Sequence, residues 1–408
     1  MKFQLEHSVT RAQALQLMKE HWTPAPGVET LPLAQCLGRV TAEELVSVNT
    51  LPVVRASCFD GVAVRKADFA HGLPDTAKWV KGRDFVRADT GDDFPDAFDT
   101  VIAIEDVILE GDGLRFVEGF SFNPEEETVD PAGTIVRAGA PLVNARTRLT
   151  PELLAALAMG GVGQVKVFAP IRIAFLPTGS ELIPVGEKPE RGQNVETNGL
   201  MLSAMLGQYG ARVDCFPITK DDPAQLEQAL DRALAEYDMV LINGGSSRGE
   251  EDFNSSLLQR RASFFRHGVR AVPGRPVAFS VIGGKPVLNL PGPVTACHLA
   301  AYWCVSALIA HYYGLPAPQA PVVQAVLAQP LKKRSGFERI ARVALAYADG
   351  TYRATPLAWD EDGLPALLSR TDGYVTVPLE AEAYEAGDTV TVELLRAPEL
   401  IAGNRPLV

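Results

Sequence analysis

Cysteine is scarce in this chain, which has five cysteines among its 408 residues. Their number is odd, their spacing is wide and no Cys-x-x-Cys pair occurs, so neither a zinc framework nor a disulfide scaffold is expected. The six histidines are also scattered, without the short spacings typical of a metal site. Each cysteine is therefore predicted to be a small buried hydrophobic residue, and the chain to work in a reducing cytoplasm.

Positive charge is also in short supply. The chain carries 38 Lys and Arg against 50 Asp and Glu, which gives a formal net charge of −12. A nucleic-acid partner is not expected, because a phosphate backbone requires a basic surface. A small anionic ligand held by a local basic pocket is compatible with this composition.

Long apolar runs are missing as well. The longest uncharged apolar stretch, Val294 to Ala310, is interrupted by His298 and is shorter than the roughly 20 residues of a membrane span. The segment from Met1 to Glu20 mixes charges into a helical pattern, unlike a signal peptide. We therefore predict a buried helix at the apolar stretch and no membrane partner.

What is present indicates an α/β multidomain protein. With 47% hydrophobic residues, the chain has material for about three domains. Strands and helices alternate from Ile171 to Tyr313, which predicts a mostly parallel sheet with helices on both faces. Strand-like runs dominate Leu51–Pro131 and Val322–Leu395, and the proline-rich segment Gly314–Pro321 is typical of a linker.

Local signals predict several element boundaries. Ser8 is expected to cap a helix that runs to about His21, and Thr150-Pro151 to open one that ends at Met159. A second short helix is expected within residues 31–46. Hairpin turns are predicted at three glycine-containing sites, namely Gly111-Asp112-Gly113, Asp349-Gly350 and Gly387-Asp388.

Three glycine-rich loops each follow a short apolar strand, and each is expected to lead into a helix. They are Leu176-Pro177-Thr178-Gly179-Ser180-Glu181, Gly244-Gly245-Ser246-Ser247 and Leu290-Pro291-Gly292-Pro293. Such loops gather at the carboxyl ends of the strands of an open α/β sheet, where ligands bind. Glycine lets backbone N–H groups approach an anion, and a helix start adds a favourable dipole, so the loops predict a phosphate-bearing ligand.

Five segments occur in the order and at the spacing of one protein family. They are Ser57-Cys58-Phe59-Asp60-Gly61-Val62-Ala63-Val64-Arg65; Thr90-Gly91 with Asp99-Thr100-Val101; Thr178-Gly179-Ser180-Glu181-Leu182 with Thr197-Asn198; Asp221-Asp222-Pro223 with Gly244-Gly245-Ser246-Ser247-Arg248-Gly249-Glu250-Glu251-Asp252; and Pro273-Gly274-Arg275-Pro276 with Leu290-Pro291-Gly292-Pro293-Val294-Thr295-Ala296. Together they resemble the molybdopterin molybdenumtransferases, the MoeA-type molybdenum insertases that include the gephyrin E domain.

The resemblance covers nearly the whole chain and implies both activity and partners. Members of the family use Mg²⁺ to insert molybdenum from molybdate into adenylylated molybdopterin, and they release AMP. They are homodimers whose active site lies between the α/β domain of one subunit and the β-rich second domain of the other. The implied partners are a small-molecule pterin nucleotide, an oxyanion, a second copy of the chain and other proteins of molybdenum cofactor synthesis.

The resemblance also implies the domain plan. The expected fold is a three-layer α/β molybdopterin-binding domain with two β-rich domains and an N-terminal helical or linker segment. The predicted boundaries are residues 1–50 with 131–168 for the N-terminal helical or linker domain, 51–130 for the β-rich second domain that faces the partner subunit, 169–314 for the molybdopterin-binding domain and 321–396 for the C-terminal β domain.

The family motifs carry functional roles over to matching positions of this sequence. The resemblance implies that Asp252 holds Mg²⁺. The residues with implied catalytic roles are Asp60, Thr90, Glu181 and Asp222. The residues implied to bind the pterin nucleotide and molybdate are Thr178, Gly179, Gly244, Gly245, Ser247, Pro273, Gly274, Arg275, Pro291, Gly292 and Thr295.

Several of these residues also have an ordinary structural explanation. Asp60 can be a turn residue, and Thr90 a hydroxyl at a strand end. Glu181 and Thr295 can cap helix starts, and Arg275 can be a surface arginine.

The chain departs from the family pattern at the side that would bind molybdate. The family's basic run R-R-R-G-E-D-I falls on residues 130–136, where only the glycine is kept, and Val272 replaces a lysine. An asparagine is absent between Gly292 and Pro293, and Ser180 replaces an aspartate. Because a charge-assisted hydrogen bond is worth about 1.5–3 kcal/mol, these losses predict weaker oxyanion binding.

Three functions are therefore compatible with the sequence. The first is the insertion enzyme, which Asp252, Glu181 and the glycine loops favour. The second is a non-catalytic paralogue that binds molybdopterin or molybdenum cofactor for storage, delivery or sensing, which the lost asparagine and basic run favour. The third is a different phosphoanhydride hydrolase on the same fold. The use of tungsten in place of molybdenum stays open.

Overall fold

The computed structural model describes residues 8–220, 222–244, 253–333, 336–358, 363–397 and 400–401. Contacts divide the chain into two compact units. One unit joins the described part of Met1–Gly27 to that of Ala169–Val408, and the other is Val28–Phe168.

The first unit is built around a sheet of six described strands. In spatial order they are Ala211–Cys215, Ile171–Pro177, Met239–Asn243, Lys285–Leu290, Ala278–Ile282 and Phe264–His267. The first four run parallel to one another. Ala278–Ile282 pairs antiparallel with the fourth of them, and Phe264–His267 pairs antiparallel with Ala278–Ile282. Both faces of the central strands are buried, as their near-continuous apolar sequences predict.

Helices cover both faces of this sheet and make the predicted three layers. The bounds of the described helices are Arg11–His21, Asn198–Gly207, Pro223–Glu236, Phe253–Arg261, Val294–Ala300 and Ser306–Tyr313, with a π-helical turn at Ala301–Val305 between the last two. Leu226, Leu230 and Ala233 pack on one face against Ala174 and Leu176. Leu226 and Leu230, four positions apart in the sequence, thus mark the buried side of their helix.

The first helix begins later than Ser8 predicts. Thr10 is its N-cap, and its side chain accepts from the backbone N–H of Gln13, whose own side chain accepts from Thr10. Ser8 was therefore the wrong cap, because only Thr10 has a glutamine three residues later to complete a capping box.

The apolar stretch from Val294 to Tyr313 is long and apolar enough by composition to cross a membrane, but 72% of it is buried within the structure. Cys297 and Cys304 are buried on this segment, and Cys36 is buried elsewhere, as predicted for small hydrophobic residues. The same prediction is wrong for Cys215, which is exposed, and holds only in part for Cys58, which is half-buried. The prediction of a buried core helix is confirmed.

The C-terminal part of the first unit is a second β sheet. Its described strands are Val322–Leu327, Glu338–Ala348, Thr351–Pro356, Gly373–Val377 and Thr389–Leu394, which close into a ring, and Ala271–Val272, which pairs with the start of the second of them. A short pair, Leu331–Lys332 with Ala383–Tyr384, and the helix Gly363–Arg370 complete it.

One of the two hairpin turns predicted in this sheet is wrong. Asp349-Gly350 joins two paired antiparallel strands, as expected. Gly387-Asp388 does not, because the strand before it, Ala383–Tyr384, pairs with Leu331–Lys332 and the strand after it pairs elsewhere. The turn residues were recognised correctly, but pairing is decided by more distant chain segments.

The second unit, Val28–Phe168, is mostly β structure. Its described strands are Val28–Pro32, Leu45–Val46, Ala56–Ser57, Gly61–Val64, Val86–Ala88, Thr100–Ala103, Val107–Glu110, Gly113–Phe116, Val129–Asp130, Pro141–Val143 and Gln164–Phe168. The helix Pro151–Met159 begins at Thr150 and the Gly111 hairpin forms, both as predicted. Within residues 31–46, all of them described, a 3₁₀ turn at Leu33–Gln35 stands where a short helix was expected.

Candidate functional site

The three predicted loops follow three adjacent parallel strands of the central sheet. Pro177 is in register with Asn243, and Asn243 is in register with Leu290. The residue that follows each of these strands therefore leaves the sheet at the same edge. These residues are Thr178, Gly244 and Pro291. We call this edge, with Gly179 and Gly292, the strand-tip site.

Gly244 occupies a position of the strand-tip site that only glycine fits. Its φ is +122°, and a Cβ built on it would lie 2.2 Å from the carbonyl oxygen of Thr178. The backbone of the loop at Gly244 thus packs directly against the backbone of the loop at Thr178. This close approach explains a glycine at this position independently of any ligand.

Glu181 does not start a helix, so its predicted alternative as a helix cap is wrong. The residues after it form a short strand, Leu182–Ile183, paired with Asn194–Val195, and the next helix begins only at Asn198. A Cβ built on Gly179 would lie 2.6 Å from the Glu181 Oε2 atom. The exposed carboxylate therefore lies over the backbone of the strand-tip site.

Asp222 is the N-cap of the helix Pro223–Glu236. Its Oδ1 accepts from the backbone N–H groups of Ala224 at 2.9 Å and Gln225 at 3.3 Å, and its Oδ2 accepts from the Gln225 side chain at 2.8 Å. These hydrogen bonds, those from Gln225 first, lower the pKa of the carboxyl group. Both oxygens are engaged by the helix start, which supplies a structural role for this residue.

Beneath the strand-tip site lies a network of buried asparagines that sequence reasoning missed. Asn243 Nδ2 donates to the carbonyl of Pro291 at 2.7 Å, and its Oδ1 accepts from Asn198 Nδ2 at 2.8 Å. Asn198 also donates to the carbonyl of Gly292 at 2.8 Å, and Asn254 to that of Gly244 at 2.8 Å. The signal was a polar residue closing the otherwise apolar run Met239–Asn243.

This network predicts a stability effect that can be measured. Asn243 is 3% exposed, so Asn243→Ala leaves the Asn198 amide and the Pro291 carbonyl buried without their partner. We expect the free energy of unfolding to fall by about 2–4 kcal/mol, the sum of two such losses. Urea denaturation of the full chain measures it.

The control for this prediction is Asn123→Ala, which removes an exposed asparagine whose side chain accepts from the backbone of Glu125. It is expected to change stability by less than about 1 kcal/mol. An Asn243 variant as stable as the Asn123 variant would contradict the role given to the network.

The remaining predicted residues of the α/β domain line a separate cavity of about 440 Å³. They are Pro273, Gly274, Arg275 and Thr295. The opposite wall comes from the strand Glu338–Ala348 of the C-terminal sheet and contributes Glu338, Arg339 and Arg342. We call this space the arginine cavity. Sequence reasoning missed its opposite wall, since neither Arg339 nor Arg342 lies in any of the five matched segments.

Arg342 is the most enclosed arginine of this cavity, at 8% exposed. Its guanidinium donates to the carbonyl of Thr295 at 3.0 Å and lies 5.2 Å from the ring centre of Tyr374. The Tyr374 hydroxyl lies 2.7 Å from His298 Nδ1. Burial, with the charge of Arg342, lowers the pKa of His298 to about 4. The imidazole is therefore neutral near pH 7 and adds no positive charge beside Arg342.

In the second unit, the structure brings Asp60 and Thr90 together. Asp60 Oδ1 accepts from both the backbone N–H and the hydroxyl of Thr90, each at 2.8 Å. The backbone hydrogen bond first, and then the hydroxyl, lower the pKa of this exposed carboxyl group. The pair is an ionised carboxylate with a fixed orientation, and its catalytic role stays a prediction.

Three predicted residues, Gly245, Ser247 and Asp252, lie outside the described residues. Among the residues that are described, no three His, Cys, Asp or Glu side chains are arranged to hold a metal ion.

Family models match three stretches of the chain. Residues 9–161 match the MoeA N-terminal region (domain I and II), residues 174–311 a probable molybdopterin binding domain, and residues 324–395 the MoeA C-terminal region (domain IV).

Curated relatives match over nearly the full length. A molybdopterin molybdenumtransferase from Haemophilus influenzae is 28% identical over 403 residues, covering 94% of this chain and 98% of that protein. One from Staphylococcus aureus is 25% identical over 401 residues, covering 94% of each.

Solved structures of a molybdopterin biosynthesis MoeA protein from Pyrococcus horikoshii superpose with TM-scores of 0.78 and 0.75. They are 26% and 24% identical in sequence and cover 96% and 95% of this chain and 100% of their own.

Proposed function

The chain belongs to the MoeA family, and we propose that it is a molybdopterin molybdenumtransferase of molybdenum cofactor biosynthesis. In the proposed reaction, molybdate supplies the metal to adenylylated molybdopterin and AMP is released. The observation that carries the proposal is the strand-tip site, where Thr178, Gly244 and Pro291 leave the sheet along one edge.

The strand-tip site supports binding of the nucleotide's diphosphate. Backbone N–H groups of glycine-containing loops can approach phosphate oxygens closely, as they do at other strand ends of open α/β sheets. A Cβ built on Gly292 would meet no heavy atom within 4 Å, so this loop has open space beside its backbone. The helix Val294–Ala300 begins directly after it and adds its dipole.

The arginine cavity supports binding of the oxyanion. Val272, which replaces a family lysine, lies in its lining, and this loss of charge is what predicted weak binding. Arg339 and Arg342 supply positive charge to the same cavity from the C-terminal sheet. Arginine suits a tetrahedral oxyanion, because its planar group donates two parallel hydrogen bonds. The cavity therefore favours an enzyme that handles molybdate over a paralogue that has lost it.

In this proposal, Asp252 is the only residue assigned as a ligand of Mg²⁺. A divalent cation would neutralise charge at the phosphoanhydride, and carboxylates are its usual protein ligands. Asp252 lies outside the described residues. The homodimer and the role of Asp60 and Thr90 in it are likewise parts of the proposal that the resemblance supplies. The cytoplasmic location is a part that the few, widely spaced cysteines supply.

The proposal is tested by following AMP. The full chain is mixed with adenylylated molybdopterin, Mg²⁺ and molybdate, with and without each component. Molybdate-dependent AMP release is expected. Tight pterin binding without turnover would identify a storage or delivery protein instead, and AMP release indifferent to molybdate would identify a phosphoanhydride hydrolase.

Asp252→Ala is expected to abolish AMP release, because it removes the predicted carboxylate ligand of the cation. The matched control is Asp112→Ala, in the exposed Gly111 hairpin, which should release AMP at the rate of the unchanged protein. Light scattering should find the same oligomeric state for both variants. Normal turnover by the Asp252 variant would remove this residue from the metal site.

A further inference from the structure

The arginine cavity contains a carboxylate as well as arginines, and that carboxylate is held by a residue from the other end of the chain. Glu338 lies in the cavity lining. Arg11 Nε lies 2.7 Å from Glu338 Oε1, and the second Arg11 nitrogen donates to Glu338 Oε2 at 3.0 Å. Their side chains are 25% and 12% exposed, so this two-point ion pair is largely shielded from water.

The backbone around this pair is held by hydrogen bonds to both walls of the cavity. Arg270 donates its backbone N–H to the carbonyl of Val9 at 2.8 Å, and Glu338 donates its own to the carbonyl of Arg270 at 2.9 Å. The capping box at Thr10 fixes the helix start at which Arg11 stands. Arg11 is therefore placed by the fold rather than by chance contact of two long side chains.

Charge gives this pair a consequence for ligand binding. The charged residues among the described cavity lining are Arg275, Glu338, Arg339 and Arg342. An unpaired carboxylate there would repel a doubly charged oxyanion, and in a shielded site the repulsion is much stronger than in water. The ion pair with Arg11 cancels that charge, so the charged residues of the described lining together carry a net positive charge.

We propose that Arg11 is a positioning residue for oxyanion binding, which neutralises Glu338 and so allows the arginine cavity to bind a tetrahedral dianion. The identity of the dianion as molybdate rests on the proposed function, whereas the charge argument does not. Arg11 touches no ligand in this proposal. It acts through Glu338, and its effect should disappear when Glu338 carries no charge.

Binding of sodium molybdate to the full chain, measured by isothermal titration calorimetry without pterin, tests the proposal. Arg11→Gln is expected to raise the dissociation constant about tenfold, because it exposes the ligand to the Glu338 charge. The double variant Arg11→Gln with Glu338→Gln is expected to return to within about threefold of the unchanged protein. Arg11→Lys keeps the charge and should also remain within about threefold.

The matched control is Arg115→Gln, which removes the arginine of an exposed ion pair with Glu110 in the second unit and should leave binding unchanged. The proposal is overturned if Arg11→Gln binds molybdate as the unchanged protein does, or if the unchanged protein binds none. The proposal would also be overturned if the double variant bound molybdate as weakly as Arg11→Gln does. If Arg11 acted only by stabilising the structure, removing the charge of Glu338 as well would not restore binding.

The same variants keep this inference separable from the proposed function. A chain that binds molybdate with the expected pattern but releases no AMP leaves the role of Arg11 standing and removes the enzymatic proposal. If the chain releases AMP but the Arg11 variants bind molybdate normally, the enzymatic proposal stands and the role of Arg11 is removed.

Discussion

Replacing Arg342 with glutamine is expected to lower molybdate-dependent AMP release by about 100-fold or more. The guanidinium is nearly buried in the arginine cavity, where a charge-assisted hydrogen bond to an oxyanion is worth about 1.5–3 kcal/mol and a two-point contact correspondingly more. Glutamine is two bonds shorter than arginine, so the hydrogen bond to the carbonyl of Thr295 is lost together with the charge. The measurement is the initial rate of AMP release as molybdate is varied.

Two variants control for structural effects of the Arg342 change. Arg342→Lys keeps the positive charge but loses the planar two-point geometry, so an intermediate rate is expected. Arg353→Gln removes an exposed arginine from the strand Thr351–Pro356 of the same sheet, and its rate should be unchanged. A rate for Arg342→Gln within threefold of the unchanged protein would show that the cavity does not serve the reaction.

The second large effect is expected at Gly244. Gly244→Ala must either move the backbone of Thr178 or abandon its φ of +122°, because the new Cβ would lie 2.2 Å from a carbonyl oxygen. Strain and overpacking of this kind cost about 2–4 kcal/mol, and the strand-tip site would be displaced with them. We expect lower stability in urea denaturation and AMP release reduced more than about 100-fold.

Gly292→Ala is the matched comparison on the neighbouring strand tip. Its Cβ would meet no heavy atom within 4 Å, and its φ is not in the left-handed region, so stability should change by less than about 1 kcal/mol. Pterin nucleotide binding should nevertheless weaken if phosphate oxygens approach this backbone. Equal stability of the Gly244 and Gly292 variants would contradict the packing argument, and full nucleotide binding by the Gly292 variant would place the diphosphate elsewhere.

Predictions that depended on a few neighbouring residues held in most places. The Gly111 hairpin and the helix that starts at Thr150 both form where turn and capping chemistry predicted them. The failures have the same character. Ser8 has no glutamine three residues later to complete a capping box, and the loop at Glu181 leads into a short strand pair where a helix is predicted.

The same distinction between local and long-range contacts applies to the residues of the site. The adjacency of the three loops could be predicted, since parallel strands end at one edge of a sheet. The asparagine network could have been suspected from Asn243 at the end of an apolar strand. The second wall of the arginine cavity could not, because Arg342 and Glu338 meet the other wall only through packing of the C-terminal sheet against the α/β layers.

The sequence by itself determined the order of strands, loops and helices, the glycine positions at the strand tips and the family to which they point. These follow from side-chain periodicity and backbone conformational limits, which act over a few residues. Only the tertiary structure decided the charge of the arginine cavity. Arg11 and Glu338 are 327 positions apart, and whether two such charges cancel depends on the few ångströms between them, a distance that only the packed chain sets.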